Sequence, residues 1–446
     1  MKRSNMEVGG PAETPGGDPG RSRPRFPRLG PFARSVLTLM TGTTLATLIP
    51  VAVSPVLSRL YPPAEFGLFA LYTGVAGLLS VAAAGRYELA IVLPSEDDAA
   101  YDLLGLSLLI VGCVTAVTAL AVATLHRGIL TILGAPAMAG WLWFLPLAVL
   151  LLGTGQALVN WLNRRRAYPH IAASRIVQSV ATAALAIVFA RSGLGGGGLI
   201  VSALAGQALA ALVLVFAVRS GLRGSALRFT AQGMRRQAAR FRDFPRVNAL
   251  HALFDNLNAS ATLIVLAHFF GSAVVGQYSM VMRVLTAPVT LIGSAITQVF
   301  YQRAADLHNQ GRSLRGLILM VIRRSLWIAV PAAVVLLLAA PQLFRFVFGP
   351  DWAVAGGFAR LLSPYVLLYF VAAPLAFLPF VLGRQVAAFF FSTTGNLVSL
   401  GCIALGGLWG SAERGFGLLS LAQSLYFLLY IAWMLRIASA PRAEPA

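Results

Sequence analysis

Residues 196–246 read GGGLIVSALAGQALAALVLVFAVRSGLRGSALRFTAQGMRRQAARFRDFPR. The first half is a nearly unbroken apolar run ending at Val218. The second half carries eight arginines, from Arg219 to Arg246, and one acid, Asp243. About 20 apolar residues cross a hydrocarbon core as a helix, and a cluster of arginines directly after such a run marks its cytoplasmic end. With a single acid, the basic half offers no catalytic motif and reads as an amphipathic stretch lying on anionic lipid.

Working outward from this segment, apolar runs of similar length recur to both sides. They predict spans at 35–56, 66–84, 102–125, 140–160, 171–190, 196–219, 247–270, 273–300, 318–341, 358–382, 385–410 and 415–437. The fold class is therefore an all-α polytopic membrane protein of about 12 transmembrane helices. The long basic connector divides it into two halves. Residues 34–219 form an N-terminal six-helix lobe, 220–246 a basic cytoplasmic linker, and 247–438 a C-terminal six-helix lobe. Residues 1–33, rich in Gly, Pro and Arg, read as a disordered basic tail, with no cleavable signal peptide; 439–446 form a second tail.

Composition agrees. Apolar residues make up 58% of the chain and charged residues 11%, with a mean hydropathy of +0.77. A soluble globule needs roughly a quarter charged residues to face water. The net charge of +20 sits almost wholly in connectors between apolar runs, which excludes nucleic acid as the partner and leaves membrane lipids. Twenty-eight basic residues fall on one side of the predicted spans and six on the other, so both termini are expected in the cytoplasm. Cys113, Cys402 and the five histidines are scattered. No metal or cofactor is expected from them.

The two halves echo each other. Ala46-Thr47-Leu48-Ile49 matches Ala261-Thr262-Leu263-Ile264, and Gly67-Leu68-Phe69-Ala70-Leu71 resembles Gly276-Gln277-Tyr278-Ser279-Met280. Both halves start on the same side, which predicts a parallel repeat about an axis along the membrane normal.

Polar residues inside the spans mark the candidate site. Ser279, Arg283, Thr286, Thr290, Ser294, Thr297 and Tyr301 recur every three or four residues, forming one stripe on the eighth helix. Asn248, His251, Asp255, Asn258 and Thr262 form a second stripe on the seventh. Arg283 and Asp255 fall near mid-membrane, where a charge costs at least about 2.5–3.5 kcal/mol on insertion scales. Two readings stay open: a hydrophilic cavity in which Arg283 meets an anionic substrate, or an Asp255–Arg283 ion pair packing two helices. His251, one turn from Asp255, is a candidate for a proton relay. Pro50, Pro55, Pro288, Pro374 and Pro379 mark bends that serve as hinges or as static kinks.

Three stretches carry a family resemblance. Ser54-Pro55-Val56-Leu57-Ser58-Arg59-Leu60-Tyr61-Pro62-Pro63-Ala64-Glu65-Phe66-Gly67 resembles the first external loop of bacterial polysaccharide and O-antigen flippases. Gly85-Arg86-Tyr87-Glu88-Leu89-Ala90-Ile91-Val92-Leu93-Pro94 is similar to their connector between helices two and three. Residues Ile292 to Phe300, followed by Arg303, resemble the end of their eighth helix. These flippases belong to the multidrug/oligosaccharidyl-lipid/polysaccharide exporter superfamily.

The resemblance implies two pseudo-symmetric six-helix lobes around a central cavity, working by alternating access in the bacterial inner (cytoplasmic) membrane. It implies a non-enzymatic flippase whose cargo is an undecaprenyl-pyrophosphate-linked oligosaccharide for O-antigen, capsule or exopolysaccharide, with other polysaccharide assembly proteins as partners. Substrate-binding candidates are Arg283, Arg59, Arg86, Asn248, Thr286 and Thr290; coupling or gating candidates are Asp255, His251 and Glu88. The alternatives are a drug or cation exporter of the same superfamily, whose cavity should favour acids, and a membrane polysaccharide polymerase or ligase. The latter would need a sizeable external loop or an acidic motif there, and the outer connectors are short.

Overall fold

The computed structural model describes residues 31–221, 229–289 and 293–438. The two tails expected at the chain ends lie outside these residues, except for 31–33, which already belong to the first helix. In hydrocarbon no water is available to satisfy backbone N–H and C=O groups, so apolar runs close their hydrogen bonds internally as helices. The N-terminal lobe contains α1 (Pro31–Leu60), α2 (Pro63–Ala83), α3 (Asp97–Leu133), α4 (Leu145–Arg164), α5 (Tyr168–Phe189) and α6 (Gly196–Gly221). The short α7 (Ala231–Arg240) follows. The C-terminal lobe contains α8 (Ala249–Pro288), α9 (Ser294–Asn309), α10 (Arg315–Phe348), α11 (Ala353–Ala372), the single turn α12 (Leu378–Val381), α13 (Gln385–Leu408) and α14 (Ala412–Ala438).

Helix α8 is two limbs. At Gly271 the backbone leaves helical geometry with φ 79 and ψ 175, a conformation open to glycine because it has no Cβ. Leu263 and Arg283 would stand about 30 Å apart on a straight helix, yet both line one small cavity. The chain therefore reverses at Gly271. Eleven described helices are long and apolar enough to cross a membrane, with α8 counted once; its two limbs bring the crossings to twelve. Helix α3 is longer than its apolar run predicts. Asp97 and Asp98 occupy its first turn, where carboxylates oppose the helix dipole, and left-handed Gly134 (φ 60) ends it.

The lobes meet where α2 crosses α8. A Cβ on Gly67 would collide with the carbonyl oxygen of Ser272, and one on Gly276 with the carbonyl oxygen of Pro63. The contact is reciprocal, as across a two-fold axis, and it joins the two glycines that begin the echoed stretches. At the same end Trp352 Nε1 donates to Ser58 O at 2.8 Å. Its ring lies edge-on to Phe66, 5.2 Å between centroids, and Phe66 lies edge-on to Tyr61 at 6.4 Å. These rings form an aromatic plug between the lobes.

At the opposite end α7 is clasped to the N-terminal lobe. Asp102 Oδ1 accepts from Thr230 N at 3.0 Å and from Thr230 Oγ1 at 3.2 Å. Thr230 Oγ1 in turn accepts from Gly233 N at 3.0 Å, capping the helix. Phe229 stacks on Tyr101 at 4.2 Å. The apolar side of α7, through Met234, Ala238 and Phe241, packs on a core of α3, α4 and α6, leaving Arg235, Arg236 and Arg240 exposed. The basic stretch thus spends its apolar face on protein rather than on lipid, because the buried carboxylate of Asp102 needs the donors that Thr230 supplies.

Candidate functional site

Most described members of the two polar stripes converge on one cavity of about 1490 Å³. Thr297 does not, because the predicted eighth span is divided between α8 and α9 and the Thr297 hydroxyl donates to Gly293 O at 2.7 Å. The first limb of α8 contributes Asn258 and Thr262, with Asn248 just ahead of it; the second limb contributes Ser279, Arg283 and Thr286. Helix periodicity puts each set on one face, and the reversal at Gly271 turns the faces together. Helices α11, α13 and α14 complete the wall. The cavity runs from Tyr278, near mid-depth, to the exposed Asn248 and Val386 at the end away from the plug.

Arg283 stands about 18 Å along its limb from Gly271, at 1.5 Å per residue. It is half-buried and forms no ion pair among the described residues. Its guanidinium carbon lies 6.0 Å from the centroid of the Phe66 ring, within cation–π range. Arg283 also lines a second cavity of about 310 Å³ between the lobes, with Phe66, Thr73 and Leu263. The side chain therefore reaches both the C-terminal chamber and the seam between lobes. Its donors are in position for an anion, since guanidinium presents a planar fork that fits carboxylate or phosphate oxygens. Thr286 Oγ1 donates to Met282 O at 2.6 Å and keeps acceptor capacity.

The other predicted residues lie elsewhere. Arg59 donates from Nη2 to Phe346 O at 3.0 Å, tying α1 to α10 beside the plug. Arg86 has left-handed backbone (φ 61) and stands 3.8 Å from Glu88, Nη1 to Oε1, at the start of the turn Tyr87–Val92. Neither arginine lines a described cavity. Glu88 is buried at 1% exposure, with Oε2 unpartnered. Burial raises its carboxyl above the ordinary range, against the lowering effects of a backbone hydrogen bond and of Arg86. Thr290 lies outside the described residues, as do the side chains of His251, Asp255 and Ser294. Among the described residues no group of His, Cys, Asp or Glu could hold a metal ion.

Sequence reasoning missed the aromatic wall. Tyr365 and Tyr369 of α11, and Tyr426, Phe427 and Tyr430 of α14, all line the large cavity. The signal was present: both tyrosine pairs are spaced i, i+4, one face of a helix.

The helix order, the paired lobes and the hairpin of α8 define a multi-pass membrane protein with the fold of multidrug/oligosaccharidyl-lipid/polysaccharide transporters. A lipid II flippase, MurJ, in an inward closed conformation superposes with a TM-score of 0.71 at 11% identity, covering 90% of each chain. An inward-facing multidrug resistance transporter of the MATE family gives 0.63 at 15% identity, covering 92% of this chain and 96% of that one. A superfamily transporter from Pyrococcus furiosus, described as having a binding pocket of reverse polarity, gives 0.59 at 15% identity over 91% and 95%. No curated protein matches the sequence. Residues 56–356 match the family described as polysaccharide biosynthesis protein, and the chain belongs to that family.

Proposed function

We propose that the chain is a flippase that carries a polyprenyl-pyrophosphate-linked oligosaccharide across the bacterial inner membrane, from the cytoplasmic to the periplasmic leaflet, without catalysis. The observation that carries the reading is Arg283, a cation at mid-depth without an ion-pair partner among the described residues, in a cavity of about 1490 Å³. Drug-sized ligands fill about 300–1,000 Å³, so the chamber has room for a larger cargo. Arg283 is the one charged side chain among its described lining residues, and its sign is the one an anionic cargo needs.

With both termini cytoplasmic, as the arginine bias requires, the plug faces the periplasm and the mouth near Asn248 faces the cytoplasm. Substrate enters from the cytoplasmic side, Arg283 holds the pyrophosphate, and Asn248 and Thr286 add polar contacts. Parting of α2 from α8 then opens the plug, with Arg59 as one of its latches.

The test uses a strain lacking the chain. Lipid-linked oligosaccharide should build up on the cytoplasmic leaflet and be cleared by wild type but not by Arg283→Ala at equal membrane abundance. Unchanged surface glycan with no build-up would refute the reading in favour of a drug exporter.

A further inference from the structure

The tyrosine wall is not needed to hold a pyrophosphate, yet it occupies one side of the chamber. Tyr365 and Tyr369 lie 6.3 Å apart with ring planes 25° from parallel, and Tyr365 and Phe427 lie 6.0 Å apart, also at 25°. Tyr426 and Tyr430 repeat the arrangement at 6.2 Å and 20°. Glycine fixes one of these rings, since a Cβ on Gly395 would sit 2.8 Å from the Tyr426 ring. None of the four tyrosine hydroxyls has a hydrogen-bond partner among the described residues.

Amides line the same chamber, Asn258 from α8, Asn396 from α13 and Gln423 from α14. Asn258 Nδ2 donates to Asn396 Oδ1 at 3.1 Å, which leaves the Asn258 carbonyl and the Asn396 amide hydrogens for another molecule. Gln423 donates to Gly395 O at 2.7 Å and keeps its own carbonyl.

We infer that this half of the cavity is a pyranose-binding platform, on which the apolar C–H face of a sugar ring lies against Tyr365, Tyr369, Tyr426 and Phe427 while its hydroxyls meet the amides of Asn258 and Asn396. The inference rests on the flippase reading and adds to it a division of labour: Arg283 recognises the pyrophosphate, and the C-terminal lobe recognises the glycan. Ring faces beside paired donors and acceptors suit a neutral polyhydroxylated ring. A polyprenyl tail would leave the amides unpaired in an apolar setting, which is unfavourable. A cation would suit the rings but would share the cavity with Arg283, which repels it.

The platform is tested on full-length purified protein in lipid nanodiscs. The probes are undecaprenyl pyrophosphate, the glycan-bearing polyprenyl pyrophosphate extracted from cells lacking the chain, and tetraphenylphosphonium. Wild type should bind the glycan-bearing lipid about tenfold more tightly than the bare one, the order of one or two aromatic contacts. Tyr365→Leu with Tyr426→Leu should erase that difference and leave affinity for undecaprenyl pyrophosphate unchanged. The corresponding phenylalanine pair should retain most of it. Ser392→Trp, which fills the cavity from an exposed position on α13 without removing a packed ring, should lose it too, should the leucine variant not fold.

Two outcomes overturn the platform alone: equal wild-type affinity for the two lipids, or full glycan preference in both the leucine and tryptophan variants. Tyrosine-dependent binding of tetraphenylphosphonium, with no binding of either lipid, overturns the flippase reading itself and the platform with it.

Discussion

Replacing Gly67 or Gly276 by alanine should drive the lobes apart at the plug. A Cβ on Gly67 would stand 2.9 Å from Gly276 N, besides colliding with the carbonyl of Ser272. Comfortable contact needs about 3.5 Å, and the carbonyl oxygen of Ser272 is the nearer obstacle, so α2 and α8 must separate by more than about 1 Å. The obstructing atoms are backbone, with no rotamer to swing aside. Overpacking of this kind costs about 1–3 kcal/mol, which shifts the balance away from the closed plug by about 5- to 150-fold. Reciprocity makes Gly276→Ala equivalent to Gly67→Ala, and the double variant should cost less than the two together, because one separation relieves both. The assay is electron–electron distance measurement between spin labels at the exposed Ala64 and Val354, in a Cys113→Ser background since Cys113 is exposed. Longer and broader distances are expected in each variant. An unchanged narrow distribution in both, with unchanged thermal stability, would refute the close-packed seam.

Other predictions address single contacts. Trp352→Phe keeps the ring in the plug but removes the donor to Ser58 O; one lost hydrogen bond is worth about 1 kcal/mol, and the Ala64–Val354 distance should broaden modestly. Arg283→Lys keeps the charge without the fork, so it should restore part of the glycan export lost in Arg283→Ala; full restoration would argue against two-point recognition of pyrophosphate. Thr230→Ala removes the cap of α7, at about 1 kcal/mol, and should speed amide exchange across 231–240 while leaving the helices of the lobes unaffected. The raised carboxyl of Glu88 takes up its proton more readily folded than unfolded. Its contribution to stability is therefore fully present below the ordinary carboxylate range and is lost as pH rises through the raised folded value. Glu88→Gln should melt higher than wild type at neutral pH, with the gap closing toward acid, and a pH-independent gap would contradict the assignment.

Much of this protein is legible from the order of its residues. Lipid admits helices as the chain's way of closing its backbone hydrogen bonds, so runs such as 196–218 declare themselves without reference to any other part of the chain. The polar stripes are equally local, because 3.6-residue periodicity alone puts Ser279, Arg283 and Thr286 on one face. What the stripes face is not local. The reversal at Gly271, set by a single positive φ, turns the two limbs of α8 toward one chamber. Rings more than a hundred residues downstream, Tyr426 and Tyr430, complete it. Arg59 and Arg86 both sit in motif-like stretches, yet a tertiary contact directs Arg59 to Phe346 O, whereas Arg86 stands beside Glu88, two residues along the same turn. Amphipathicity in the linker showed that α7 must bury a face, and only the position of Asp102 decided that protein rather than lipid would cover it. Periodicity and hydropathy are properties of neighbours along the chain; a cavity is made by residues that are distant in sequence and meet only once the helices have packed.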